Sequence, residues 1–188
     1  MKIQQAKKEQ AHDIALLIME AMNHECCRNF AGPDHTLEDF ERLMTDLVGR
    51  DDSQYSYRNT LVAVSDDGEI MGAVVCYDGG QLHELRRAFI DGARKAFGID
   101  YSDMDDETEA GELYVDSLCT KSAYRGHGVA SALLRTCVQK ARKMNISRVG
   151  LLVDNDNPKA ERLYTHVGFR YRNDAKWGGH QMKHLVRD

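Results

Sequence analysis

Tyr124-Arg125-Gly126-His127-Gly128-Val129-Ala130 joins a strand candidate to a helix candidate. A helix leaves its first four N–H groups without intrahelical partners, and its dipole adds partial positive charge at the same end. Glycines at 126 and 128 let an anion approach without a Cβ in the way, and Arg125 supplies a charge-assisted contact. The segment therefore reads as a diphosphate cradle. Two other phosphate loops do not fit. The dinucleotide fingerprint needs a third glycine where Ser131 stands, and no Gly-Lys-Ser/Thr follows. Taken alone, the glycines would equally serve a tight packing turn.

On either side of the cradle, Leu113–Cys119 has strand character, and Val129, Leu133, Leu134, Cys137, Val138, Ala141 and Met144 lie on one face of a helix. Arg148–Val153 predicts a buried strand. Asn157 before Pro158 predicts a helix start, since asparagine caps open amides and proline lacks the N–H that a first turn leaves unused. That helix stops at Gly168. Two closing strands, 169–173 and 180–186, flank a turn at 174–179.

Toward the amino terminus the pattern predicts one helix from Glu9 to about Asn29 and a second capped by Thr36 and ended by Gly49. A hairpin follows, Leu61–Ser65 and Ile70–Cys76 around Asp-Asp-Gly-Glu. Residues 82–97 read as a helix, and the run from Asp100 to Glu109 as an acidic, mobile connection. Asp103, Asp105, Asp106, Glu107 and Glu109 are the pattern of a solvated loop, or, if the loop edges a cleft, of a wall that attracts cations.

At 188 residues, 42% hydrophobic, with no internal repeat or linker, the chain is expected to form a single domain over residues 1–188. A net charge of -5 gives no broad basic field for nucleic acid. No signal-peptide core or membrane-length apolar run is read, so the expectation is a soluble, cytoplasmic protein with no membrane partner. Five cysteines without a CxxC pair are expected to be unpaired thiols, and no residue cluster has metal-ligand spacing, so no metal is expected.

The segment Leu118 to Leu134 resembles the acetyl-CoA-binding motif of GNAT acetyltransferases, R/Q-x-x-G-x-G/A, with Arg125, Gly128 and Ala130 at its first, fourth and sixth positions. Asn157 to Phe169 resembles that family's N-x-x-A-x-x-L-Y-x-x-x-G-F stretch. The resemblance is close over Leu113–Phe169 and loose elsewhere. Residues 82–111 are its main departure, an insertion that could serve as a lid or acceptor-binding element.

The resemblance implies the GNAT fold, a mixed α/β (α+β) architecture with a central, mostly antiparallel sheet and helices on both faces. It implies an acetyl-CoA-dependent N-acetyltransferase, with direct attack by an amine in a ternary complex. Acetyl-CoA would be bound by Leu118, Cys119, Thr120, Arg125, Gly126, His127, Gly128, Val129, Ala130, Asn157 and Tyr164. A backbone amide of Leu118–Thr120 would polarise the thioester carbonyl, and Tyr164 would protonate the departing thiolate. His127 lies inside the cradle, although such a side chain commonly points to solvent.

For the general base, Glu112, Tyr114 and Asp116 alternate onto one face of the motif strand if no bulge intervenes, with Glu112 the first choice and Asp116 the second. The acceptor is an amine, with a cationic one favoured by the acidic run. A homodimer is compatible with the sequence. The alternative is a CoA-binding regulatory or interaction module without acceptor chemistry.

Overall fold

The computed structural model describes residues 1–188. Its frame is one seven-stranded sheet: β1 (Lys2–Gln5), β2 (Thr60–Val64), β3 (Ile70–Asp78), β4 (Glu112–Thr120), β5 (Arg148–Asp154), β6 (Arg170–Trp177) and β7 (His180–Arg187). They run in the order β1-β2-β3-β4-β5-β7-β6. Every neighbouring pair is antiparallel except β4–β5, which is parallel.

Alternation of side chains across the strands gives the sheet two apolar faces. One face presents Val62, Val75, Tyr77 and Tyr114 to the helices α1 (Ala11–Met22), α2 (His24–Ala31), α3 (Leu37–Val48) and α4 (Leu82–Phe97). The other presents Val74, Leu113, Val149 and Leu151 to α5 (Val129–Lys143), whose Val129, Leu133, Leu134, Cys137, Val138 and Ala141 form the buried stripe read from the sequence. The short α6 (Pro158–His166) lies on that second face through Ala160, Leu163 and Tyr164. No helix is long and apolar enough to cross a membrane.

The local signals hold where capping chemistry set them. Thr36 Oγ1 accepts from Asp39 N, and Asp39 Oδ2 accepts from Thr36 N, a reciprocal cap worth about 1 kcal/mol. Asn157 Oδ1 accepts from Ala160 N at 3.2 Å, with Pro158 in the first turn behind it.

Three expectations need correction, and one strand carries no signal in the sequence. The helix expected over 9–29 is broken at Asn23, which adopts φ 67° and turns its side chain to cap α2 through Cys26 N. The apolar period crosses the break because both pieces pack on one core. β1 carries a single apolar side chain, Ile3, too little to read as a strand, and it forms by pairing with β2. β6 continues to Trp177, so the last turn is Gly178-Gly179 alone.

The third correction concerns the connection that follows α4, whose run from Asp100 to Glu109 is expected to be acidic and mobile. It is held against the helical face. Ile99, Tyr101 and Met104 pack on the core there, Tyr101 Oη donates to Phe30 O, and Glu107 is buried. The cause is Arg86 on α4, only 3% exposed, because a buried guanidinium needs acceptors. Met104 O, Asp105 O, Asp106 and Glu107 supply them.

Gly150 on β5 is a close-packing glycine, since a Cβ there would run into the Glu112 carboxylate. Gly150→Ala is expected to lower stability by about 1–3 kcal/mol by displacing that carboxylate. Chemical denaturation would show a lower midpoint, and an unchanged midpoint would contradict the packing described.

Candidate active site

The site originates in a failure of strand pairing. β4 and β5 pair only at Glu112–Arg148, Leu113–Val149 and Tyr114–Gly150, after which they separate. On its other side β4 stays paired with β3 as far as Thr120, with one irregularity: Val75 opposes Ser117 while Cys76 opposes Val115, leaving Asp116 as the extra residue of a bulge. The sheet thus opens into a V, with Val115–Thr120 on one arm and Leu151–Asp154 on the other.

Two adjoining hollows fill the opening. A groove of about 570 Å³ runs from Leu118-Cys119-Thr120 along Arg125, Gly126, Gly128, Val129, Ala130 and Ser131. A cavity of about 290 Å³ lies on the other side, walled by Tyr55, Glu107, Tyr114, Asp116 and Trp177, with Asp154 and His180 paired at 3.2 Å at its rim. Ala21, Leu118, Asn157, Ala160 and Tyr164 line both, so the two meet at Tyr164.

The groove is built for an anion. No side chain caps the N-terminus of α5, and Ala132, bonded to Gly128 O at 3.0 Å, is its first residue whose amide finds a backbone acceptor. The amides of Val129, Ala130 and Ser131 are left open. Gly126 and Gly128 have φ of 80° and 78°, a conformation that favours glycine, and a Cβ-sized space beside each is empty. Arg125 is exposed at the mouth, near Glu20 and Thr120 O. Thr120 lines the groove, and its Oγ1 is buried without a hydrogen-bond partner.

Tyr164 sits at the junction, its ring edge-on to Phe169 at 6.1 Å. Burial pushes its hydroxyl up to about 12, so it carries its proton at neutral pH. Asn157, beside it, already spends its side-chain oxygen on Ala160 N.

The cavity is acidic, with no lysine or arginine in its lining. Asp116 Oδ2 accepts from Tyr77 Oη and Gln54 Nε2, each at 3.1 Å, and Ser117 Oγ donates to Oδ1. Glu107 Oε2 accepts from Trp177 Nε1 at 3.0 Å and from Arg86. Burial raises both carboxyls, Glu107 to about 7, with Asp116 adding repulsion and Arg86 opposing it.

The structure brings together the side chains or backbone of Leu118, Cys119, Thr120, Arg125, Gly126, Gly128, Val129, Ala130, Asn157, Tyr164 and Asp116. It does not bring Glu112 or His127 with them. Glu112 shares the face of Tyr114 and Asp116, as alternation requires, but its carboxylate is 2% exposed and bound by His184 Nε2 and Thr108 Oγ1 at 2.9 and 2.7 Å. The connection 98–111 covers it. His127 turns outward, its Nδ1 against Arg125 O. In the sequence Glu107 is one charge in an acidic run, and the signal that marks it out, a buried arginine on α4, is tertiary. No group of three His, Cys, Asp or Glu side chains stands close enough to hold a metal.

A family model described as the acetyltransferase (GNAT) family matches residues 19–169. The chain belongs to this family. An acetyltransferase crystal structure superposes with a TM-score of 0.83 at 24% identity, covering 100% of this chain and 99% of that one. An N-acetyltransferase from Staphylococcus aureus Mu50 does so at 0.78 and 22%, covering 100% of each. These likenesses show the GNAT fold. Mycothiol acetyltransferase of Parafrankia sp. (strain EAN1pec) is 40% identical over 60 residues, 32% of this chain and 18% of its own length. The chain spans less than half the length of the curated relatives it matches.

The raised Glu107 carboxyl has a consequence for stability. The folded state keeps the proton up to about pH 7, while the unfolded chain releases it near 4.5, so the unfolded state binds fewer protons in between. This contribution is present below about pH 4.5 and is lost as pH rises toward 7. Glu107→Gln should flatten the fall in urea midpoint between pH 5 and 7.5 relative to wild type. Parallel curves would contradict the assignment.

Proposed function

We propose that the chain is a single-domain N-acetyltransferase over residues 1–188 that passes the acetyl group of acetyl-CoA directly to an amine within a ternary complex. The observation that carries this reading is the junction at Tyr164, where an anion-binding groove and an acidic cavity share one wall. In this family acetyl-CoA supplies the reactive thioester, and the protein supplies orientation and electrostatics.

Each residue then has a part that its surroundings support. The open amides of Val129, Ala130 and Ser131, with Gly126 and Gly128 allowing close approach, hold the diphosphate, and Arg125 swings from Glu20 to complete the charge balance. The unpaired edge of β4 at Leu118–Thr120 takes the pantetheine arm as a further strand would, and one of its amides polarises the thioester carbonyl. Asn157 offers its amide nitrogen to the same arm. Tyr164, protonated at neutral pH, donates to the thiolate as it departs.

On the acceptor side, the acidic lining favours a cationic amine. Asp116, lifted into the cavity by the bulge, receives the ammonium proton so that the nitrogen lone pair becomes available for attack. Glu112 is too enclosed for that task, and its contacts with His184 and Thr108 give it a packing role instead.

Thiol release from acetyl-CoA over a panel of spermidine, lysine methyl ester, a peptide with a free amino terminus and kanamycin tests this directly. Turnover with at least one amine is expected. CoA binding with no release for any amine would favour a binding module. Tyr164→Phe should lower kcat by on the order of 100-fold while KM for acetyl-CoA stays within a few-fold. An unchanged kcat would remove the tyrosine from the mechanism.

A further inference from the structure

Glu107 and Asp116 come from different parts of the chain, one from the connection that follows α4 and one from the bulge of β4, yet they are tied by common donors. Gln54 Nε2 lies 3.4 Å from Glu107 Oε1 and 3.1 Å from Asp116 Oδ2. Tyr77 Oη stands at the same two distances from the same two oxygens. A hydroxyl has one proton, so Tyr77 donates to one carboxylate at a time. Gln54 gives its nitrogen to the pair although its own Oε1 is then buried with no partner. Both carboxylates also line the cavity.

The surroundings bias this pair in opposing ways. From α4, Arg86 binds the far oxygen of Glu107, and Trp177 of β6 donates to that same oxygen. Asp106 of the connection draws part of the Arg86 charge away. Tyr55, Tyr77 and Tyr114 press their rings around the carboxylates and remain protonated, because burial raises all three well above the ordinary range. Cys26 of α2 lines the cavity with its thiol raised, while Asp154 and His180 close the rim. Arg86 is thus the one full positive charge against two carboxylates.

We propose that Glu107 and Asp116 act as one proton-accepting unit, in which the doubly ionised pair takes the proton of the acceptor's ammonium and holds it between Asp116 Oδ2 and Glu107 Oε1. This deepens the transferase reading and rests on it. The N–H bond breaks, its electrons stay on nitrogen, and a carboxyl O–H forms. The neutral amine attacks the thioester, and the C–S bond breaks as the C–N bond forms. Tyr164 protonates the departing thiolate and is reprotonated by the second proton of the attacking nitrogen, and the pair later releases its own proton to water. A lone carboxylate is a weak base toward an ammonium, whereas two carboxylates that resist joint ionisation give a second macroscopic step displaced toward neutrality. Burial and the Asp116 charge move Glu107 that way, to about 7. The residue that sets the base strength therefore comes from the insertion, the part of the chain that departs from the family pattern.

The test is carboxyl-carbon NMR on the ligand-free, Asp/Glu-labelled full chain, with resonances assigned through Glu107→Gln and Asp116→Asn. Glu107 and Asp116 should titrate together in two steps, the upper one near neutral pH, and each variant should remove that upper step. Completion of both titrations below about pH 5, the ordinary carboxylate range, would overturn the proposal. With the best amine of the panel, the acid limb of kcat/KM should follow the upper step and move down by about one unit or more in Glu107→Gln. A limb that stays in place while NMR shows a coupled pair would make Glu107 a purely structural partner of Arg86 and overturn the catalytic role. Absence of turnover with every amine would instead overturn the transferase reading, with the NMR result standing by itself. Should Glu107→Gln fail to fold, the wild-type titration still decides whether the pair exists.

Discussion

Parallel pairing between β4 and β5 lasts for three residues, and the rest of the site follows from its ending there. Gly150 is the last position of β5 paired with β4, and the Glu112 carboxylate occupies the space its Cβ would need. Beyond it, β5 is carried by β7 and β4 by β3, so neither strand requires the other for its hydrogen bonds. An opening in the middle of a sheet would ordinarily leave backbone groups unsatisfied. Here each arm keeps one paired edge and turns the other toward the hollow, which makes that edge available to an extended ligand.

Helices then define what the opening receives. α5 starts at one arm with no side-chain cap, which leaves positive potential and open amides at the groove's end. α6 closes the second arm and carries Tyr164 to the point where groove and cavity meet. Opposite, a bulge at Asp116 and a buried Arg86 gather carboxylates in the cavity. The bulge also shifts the alternation by one residue, so that beyond it Leu118 packs on the face of Leu113 and Val115 while Cys119 joins the face of Tyr114. Negative charge thus lies on one side of the junction and an anion cradle on the other, in two hollows that share a single wall.

Much of this was legible in the sequence because it depends on local chemistry. Thr36, Asn157, Pro158, Gly49 and Gly98 set helix ends through caps and turns that involve only neighbouring residues. The cradle at Arg125–Ala130 is likewise local, a glycine turn followed by an amphipathic helix. What could not be read depends on contacts between distant segments. β1 exists through pairing with β2, some sixty residues away. Alternation put Glu112 and Asp116 on the correct face, yet only the packing of residues 98–111 shows that one is covered and the other open. Glu107 was one acid among five until Arg86 and Trp177 distinguished it.

The central claim is that the splayed strand edge and the uncapped end of α5 form a single acyl-CoA site. Hydrogen exchange of the backbone amides with and without acetyl-CoA tests it most directly. Protection is predicted in two separate stretches, Leu118–Thr120 and Gly126–Ser131, appearing together at the same ligand concentration. Protection confined to some other surface, or no change in either stretch at saturating acetyl-CoA, would contradict the account.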